Sequence, residues 1–296
     1  MQQSGRDPPI DPPSPSLWKN IDRTKLPPLL RDLPDVMPHP PIPKFPNDSL
    51  ASFGGHGTLE ALQVTDMLEQ EGIPACMCGV SALIYYGARR LREDWEICVP
   101  DVNFKQAENL FKSASCSAEY IQMPSWPYHQ VGSLQHTYPR FKKKGIAFKF
   151  VLIPDWDAHF ECDASNFQIS SNGLSYPRLD VLLQSLIDTQ DKLALIDLID
   201  GTDLSEQWGH DHLCLDGTTD LEWAKKKNKQ IVEANGGNAY TALAVSTQNI
   251  SRKDLWDSLV RKKGARRGWK TPDTLFSTQY RLHGSPDPWT QDRQCS

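Results

Sequence analysis

No stretch of this 296-residue chain approaches the ~20 consecutive apolar residues that a membrane-spanning helix requires. Its first residues, "MQQSGRDPPIDPP", lack the basic-then-apolar pattern of a secretory signal. An excess of positive charge is missing too: a net charge of -5 and a pI near 5.9 argue against a generally basic, nucleic-acid-binding surface. There is no disulfide framework. Seven cysteines, an odd number scattered along a long chain, read as thiols of a reducing compartment. The expected location is therefore cytoplasmic or nuclear, neither secreted nor transmembrane. No internal repeat is present.

Proline, by contrast, is plentiful and unevenly placed. Thirteen of the 23 prolines fall in residues 1–50, in runs such as "DPPIDPPSPS" and "MPHPPIPKFP". Proline lacks the backbone donor and fixes φ, so residues 1–56 are expected to be an extended, disordered arm that offers a surface to a protein partner. Residues 57–165 read as an α/β core. "GTLEALQVTDMLEQEG" has Leu59, Leu62 and Leu68 at helical intervals and a glycine stop. "IPACMCG" reads as a short buried strand, "VSALIYYGAR" as a second helix and "WEICVP" as another strand. "NFKQAENLFKSA" is amphipathic, "AEYIQ" an edge strand, and "TYPRFKKKGIAFKFVLIP" two strands joined by a basic turn. Residues 166–248 read as helical, with "YPRLDVLLQSLIDTQDKLALIDLIDG" and "TTDLEWAKKKNKQIVEAN" as the main helices. Residues 249–296 hold a basic helix and a polar, flexible tail. The fold class is α/β or α+β: a small mixed sheet with helices packed on it and a helical C-terminal half.

The chemistry concentrates in "ACMCGVSALIYYGARRLREDWEICVP". Asp94 and Glu96 are separated by one residue on a strand, so both side chains face the same way while Trp95 faces the packing. Like charges on one face repel unless a cation sits between them. Mg²⁺ or Mn²⁺, hard ions with oxygen ligands, would resolve that repulsion. Gly79 allows a sharp turn after the first strand, and Ser81 opens the next helix, whose amides form a natural phosphate seat.

In "GVSALIYYGARRLREDWEICV" the chain resembles the nucleotidyltransferase superfamily related to DNA polymerase β, and within it the minimal branch typified by AbiEii-type toxins. That family leads a strand into Gly-Gly-(Ser/Thr)-Ala-Leu, ends a helix near a glycine, and sets an arginine before Asp-x-(Asp/Glu) on the next strand. Gly79, Ser81, Ala82, Leu83, Gly87, Arg92, Asp94 and Glu96 fall on that pattern, and the resemblance spans roughly residues 58–188. It implies a nucleotidyltransferase-type sheet and metal-dependent transfer of a nucleoside monophosphate from a nucleoside triphosphate to an acceptor. Asp94 and Glu96 would be the catalytic metal ligands for Mg²⁺ or Mn²⁺. Gly79, Ser81 and Arg92 would bind the nucleotide. Two departures stand out. Val80 replaces the second glycine. The third acid, which the family places on a later neighbouring strand, is missing from Ala147–Val151, where Lys149 cannot ligate a metal. Either another carboxylate supplies that ligand, or the protein is a non-catalytic relative that binds a nucleotide or a partner.

Other clusters compete. Asp155, Asp157, His159, Glu161 and Asp163 in "VLIPDWDAHFECD" would share one face if extended, and Asp155-x-Asp157 resembles the metal motif of nucleotide-sugar glycosyltransferases. An acidic edge looks the same. His210 and His212, read on a strand or loop with Cys214 and Asp216, form a loose zinc pattern that solvated histidines explain better. Cys76 and Cys78 suit buried small hydrophobes. Lys192 is a candidate nucleotide contact within an otherwise ordinary core helix. The basic residues from Arg252 to Lys270, interleaved with Trp256 and Trp269, are a candidate surface for nucleic acid.

Overall fold

A computed structural model describes residues 45–88, 90–124, 132–237 and 244–263. Its elements follow in the order α1 (Thr58–Gln70), β1 (Cys76–Met77), α2 (Gly79–Tyr85), β2 (Trp95–Val99), α3 (Phe104–Lys112), β3 (Tyr120–Met123), β4 (Arg140–Lys143) and β5 (Lys149–Pro154). A two-stranded hairpin of β6 (Phe167–Ile169) and β7 (Ser175–Pro177) follows. The helices α4 (Leu179–Asp188), α5 (Lys192–Gly201), α6 (Glu206–His212), α7 (Leu221–Ala234) and α8 (Arg252–Arg261) follow among the described residues. This is an α+β fold. None of the described helices is long and apolar enough to cross a membrane.

The larger sheet has the strand order β1-β2-β5-β4-β3. It is mixed: β2 runs parallel to β5, and every other pairing is antiparallel. The period of two sorts its side chains cleanly. Met77, Trp95, Ile97, Val99, Phe141, Phe150 and Leu152 face one side, under Ala61, Val64 and Leu68 of α1 and Ala107 and Phe111 of α3. The opposite face carries Cys76, Cys78, Cys98, Val151 and Ile153, covered by Leu134, Tyr138, Cys162 and Ile231. Both faces of β2 and β5 are therefore buried, which explains why those strands read as nearly continuous apolar runs.

Several elements differ from expectation. The buried stripe of α1 is Ala61, Val64 and Leu68, whereas Leu59 points outward, 51% exposed. The long helix expected near residues 176–201 is two helices. The break falls at Gln190, which takes a left-handed φ of 57°, and the Asp191 carboxylate restarts the chain by accepting from the Ala194 amide at 3.0 Å. The region expected to be helical from residue 166 opens instead with the β6–β7 hairpin. Packing also begins before Gly57. Ser49 donates to Gly145 and accepts from Ala147 at 2.9 Å each, and the Asp48 carboxylate takes a hydrogen bond from Lys142 at 2.9 Å. Of the arm expected over residues 1–56, residues 1–44 lie outside the described residues, as does the part of the expected tail beyond residue 263.

Candidate functional site

The carboxylate pair sits where the alternation of β2 puts it. Glu96, on the strand, and Asp94, one residue before it, are both buried and line one cavity of about 140 Å³ together with Val80, Arg92, Gln135 and Arg140. The turn into α2 brings backbone to Glu96. Ser81 donates its amide to Glu96 Oε2 at 3.2 Å, and the Glu96 amide donates to Ser81 Oγ at 3.1 Å. The Gln135 side-chain amide donates to Glu96 Oε1. Gly79 is required here: φ is +50°, and a Cβ would lie 2.7 Å from the Glu96 carboxyl carbon. Burial pushes the Glu96 carboxyl up to about 7, against the Ser81 and Val80 amides, Gln135 and the charge of Arg92, which all pull it down. The amides expected to seat phosphate are thus already occupied by a carboxyl of the protein itself.

Asp94 has a different partner. Its Oδ2 accepts from Arg140 Nε at 2.5 Å, with both side chains almost wholly buried. Its other oxygen, Oδ1, is buried with no hydrogen bond among the described residues. The sheet register explains the pairing. Glu96 lies opposite Val151 on β5, and Val151 lies opposite Arg140 on β4, so the guanidinium reaches across an apolar position onto the carboxylate face. A magnesium ion asks for near-octahedral oxygen donors. Among the described residues no third carboxylate, imidazole or thiolate converges with Asp94 and Glu96. These side chains therefore do not fit the two-metal arrangement: the cation beside Asp94 is an arginine. Arg92, the expected nucleotide ligand, lines the cavity but rests its guanidinium over the Trp95 indole at 3.4 Å and donates to the His56 carbonyl at 3.2 Å.

Val80, Glu96 and Gln135 also border a second, larger cavity of about 700 Å³. This cleft runs between the Glu96 face of the sheet and α4, α5 and α7, and is lined by Lys192, Lys227, Gln190, Ser185 and Trp223. Its size suits a nucleotide-sized ligand. Lys227 is paired with Asp157 at 2.7 Å. Arg140, Gln135 and Lys227 escaped the sequence reading because their roles depend on strand register and on how the helical half closes over the sheet.

The competing clusters separate. Asp155–Ala158 is a helical turn and His159 is left-handed, so the five acidic and histidine positions share no extended face. Asp155 accepts from the Asp101 and Cys162 amides at 3.0 and 3.3 Å, and His159 pairs with Asp220 at 3.2 Å. His210 and His212 lie on α6, not on a strand or loop. His210 pairs with Asp257 at 2.8 Å and His212 stacks on Trp208. The basic residues of α8 turn toward their own helical half: Arg252 pairs with Asp188 at 2.5 Å, and Arg261 with Glu206 at 3.0 Å. Trp256 is fully buried, so it is not available to stack on a base. Arg266, Arg267, Trp269 and Lys270 lie outside the described residues.

No family model and no curated protein matches the chain. Among solved structures, that of JHP933 from Helicobacter pylori aligns over 73% of this chain and 97% of its own, at 13% identity and a TM-score of 0.31. A likeness that weak assigns neither fold nor activity.

Proposed function

We propose that the protein is a nucleotidyltransferase-like binding module, a relative that takes a nucleoside triphosphate into its cleft without transferring it. One observation carries the reading: Arg140 is ion-paired to Asp94 at 2.5 Å, inside the protein, where the resemblance calls for a metal. A buried guanidinium supplies the neutralising charge permanently, so the site stays compact without a metal. The phosphates would be met by Lys192 across the cleft, because the α2 amides are engaged by Glu96 and Lys227 by Asp157. The six cysteines among the described residues are free thiols, which suits the cytoplasm or nucleus.

A second reading is metal-dependent transfer, with Mg²⁺ or Mn²⁺ at Asp94 and Glu96. The buried, unsatisfied Asp94 Oδ1 favours it, since a carboxylate oxygen without a donor is costly to bury. Calorimetry with each nucleoside triphosphate, in Mg²⁺ and then in excess chelator, separates the two. The binding reading expects the same dissociation constant within about threefold in both buffers and no nucleotide incorporation by intact-mass spectrometry. Metal-dependent incorporation that Asp94→Asn abolishes would establish the transferase. Absence of any binding would remove both.

A further inference from the structure

The sheet face that carries Glu96 also gathers thiols from three separate segments. Register sets Cys76 of β1 opposite Cys98 of β2, and the period of two puts Cys78 on the same face as Cys76. The chain leaving β5 then folds back over them. The Asp155 carboxylate accepts from the Cys162 amide at 3.3 Å and fixes that return, and Cys162 Sγ donates to the Cys98 carbonyl at 3.4 Å. As a result the sulfurs of Cys76, Cys98 and Cys162 all lie within 4.8 Å of one another, each buried. Cys78 is buried on the same face, next to this trio, and borders the large cleft, which places a fourth thiol beside the cluster.

Buried cysteines acting as small hydrophobes would pack sulfur against carbon, with no reason to converge sulfur on sulfur. A tetrahedral zinc ion with Zn–S bonds of about 2.3 Å holds its four sulfurs roughly 3.8 Å apart. For Cys76, Cys98 and Cys162, whose sulfurs already lie within 4.8 Å of one another, reaching that spacing takes about 1 Å of movement at most, and Cys78 swings in from the same face. None of these cysteines is in a disulfide.

We propose that Cys76, Cys98 and Cys162, with Cys78 completing the tetrahedron, form a structural site for one thiophilic d¹⁰ ion of the zinc class. Binding releases the thiol protons to solvent and leaves a doubly negative tetrathiolate centre. The ion would tie β1, β2 and the chain after β5 into one unit beneath the cleft. None of the four cysteines lines the Asp94 and Glu96 cavity, and Cys78 alone borders the large cleft.

The test uses the full chain, produced with zinc and desalted, and its metal content measured by elemental mass spectrometry. We expect ~1 zinc per chain, unchanged in Cys214→Ser, whose thiol is exposed on a loop. Cobalt loaded into the metal-free protein should show the thiolate charge-transfer band and the intense visible bands of a tetrahedral sulfur site. Cys98→Ser should weaken zinc binding at least tenfold. If that variant does not fold, the cobalt spectrum of the unaltered chain decides alone. A folded chain, judged by circular dichroism, that holds no stoichiometric zinc and gives no thiolate band overturns the proposal. So does a cobalt spectrum of nitrogen and oxygen ligation.

Discussion

Glu96 shows how a single carboxyl can be useful to a fold and costly to it together. Its raised pKa means that the folded chain holds a proton more tightly than the unfolded one. Between the ordinary 4.5 and the folded value of about 7, the native state is the more protonated. Stability therefore falls as pH rises through that window and levels off above it. The full swing corresponds to ~3 kcal/mol, an upper figure for a buried group held by several donors. Glu96→Gln keeps an acceptor for the Ser81 amide and removes the titration. We expect urea unfolding of this variant to lose the downward slope between pH 4.5 and 7 and to gain on the order of 2 kcal/mol at pH 8. An unaltered slope would mean that Glu96 is ionised throughout, as a metal ligand would be.

At the scale of elements, glycine decides how closely helices meet. Gly209 lies in α6 against α8, and a Cβ there would stand 2.1 Å from the Trp256 ring. Trp256 is fully buried and donates its indole N–H to the Glu206 carbonyl at 3.2 Å, so the ring has nowhere to go. Helix propensity alone predicts that Gly209→Ala stabilises by about 1 kcal/mol. The contact predicts the reverse, a loss of ~3 kcal/mol from overpacking. A rise in thermal midpoint would show that α6 and α8 are looser than described.

Legibility at this scale was uneven for identifiable reasons. Strands β2 and β5 were readable because burial on both faces leaves a continuous apolar run, and the shared direction of Asp94 and Glu96 follows from local geometry alone. The partner of Asp94 was not readable. Arg140 sits 46 residues along the chain and reaches Asp94 only through a register two strands wide. The cysteine cluster hid for the same reason: Cys76 and Cys78 were visible as neighbours, but Cys98 and Cys162 join them only once β1 pairs with β2 and the chain after β5 turns back. The α4–α5 break carried a local signal, Asp191 followed by Ala194 at capping distance, that a continuous leucine pattern masked.

For the molecule as a whole, the question is where the folding unit begins. Composition placed the boundary at Gly57, after the proline-rich stretch, yet the side chain of Lys142 argues for an earlier start. This ammonium is 1% exposed, paired with Asp48 at 2.9 Å and set 4.3 Å from the Phe45 ring centroid. Removing its partner would leave a buried charge uncompensated, which costs ~3–5 kcal/mol. A chain starting at Phe45 should therefore exceed one starting at Gly57 by at least that much in urea, with the lost Ser49 hydrogen bonds adding to the gap. Lys142→Met separates the contributions. In the shorter chain it should recover a large part of the loss, because a neutral side chain of similar length needs no counter-ion. In the longer chain it should cost little, since exchanging a buried ion pair for apolar packing is often close to neutral. Equal stability of the two starting points would instead assign Lys142 a partner elsewhere and return the boundary to Gly57.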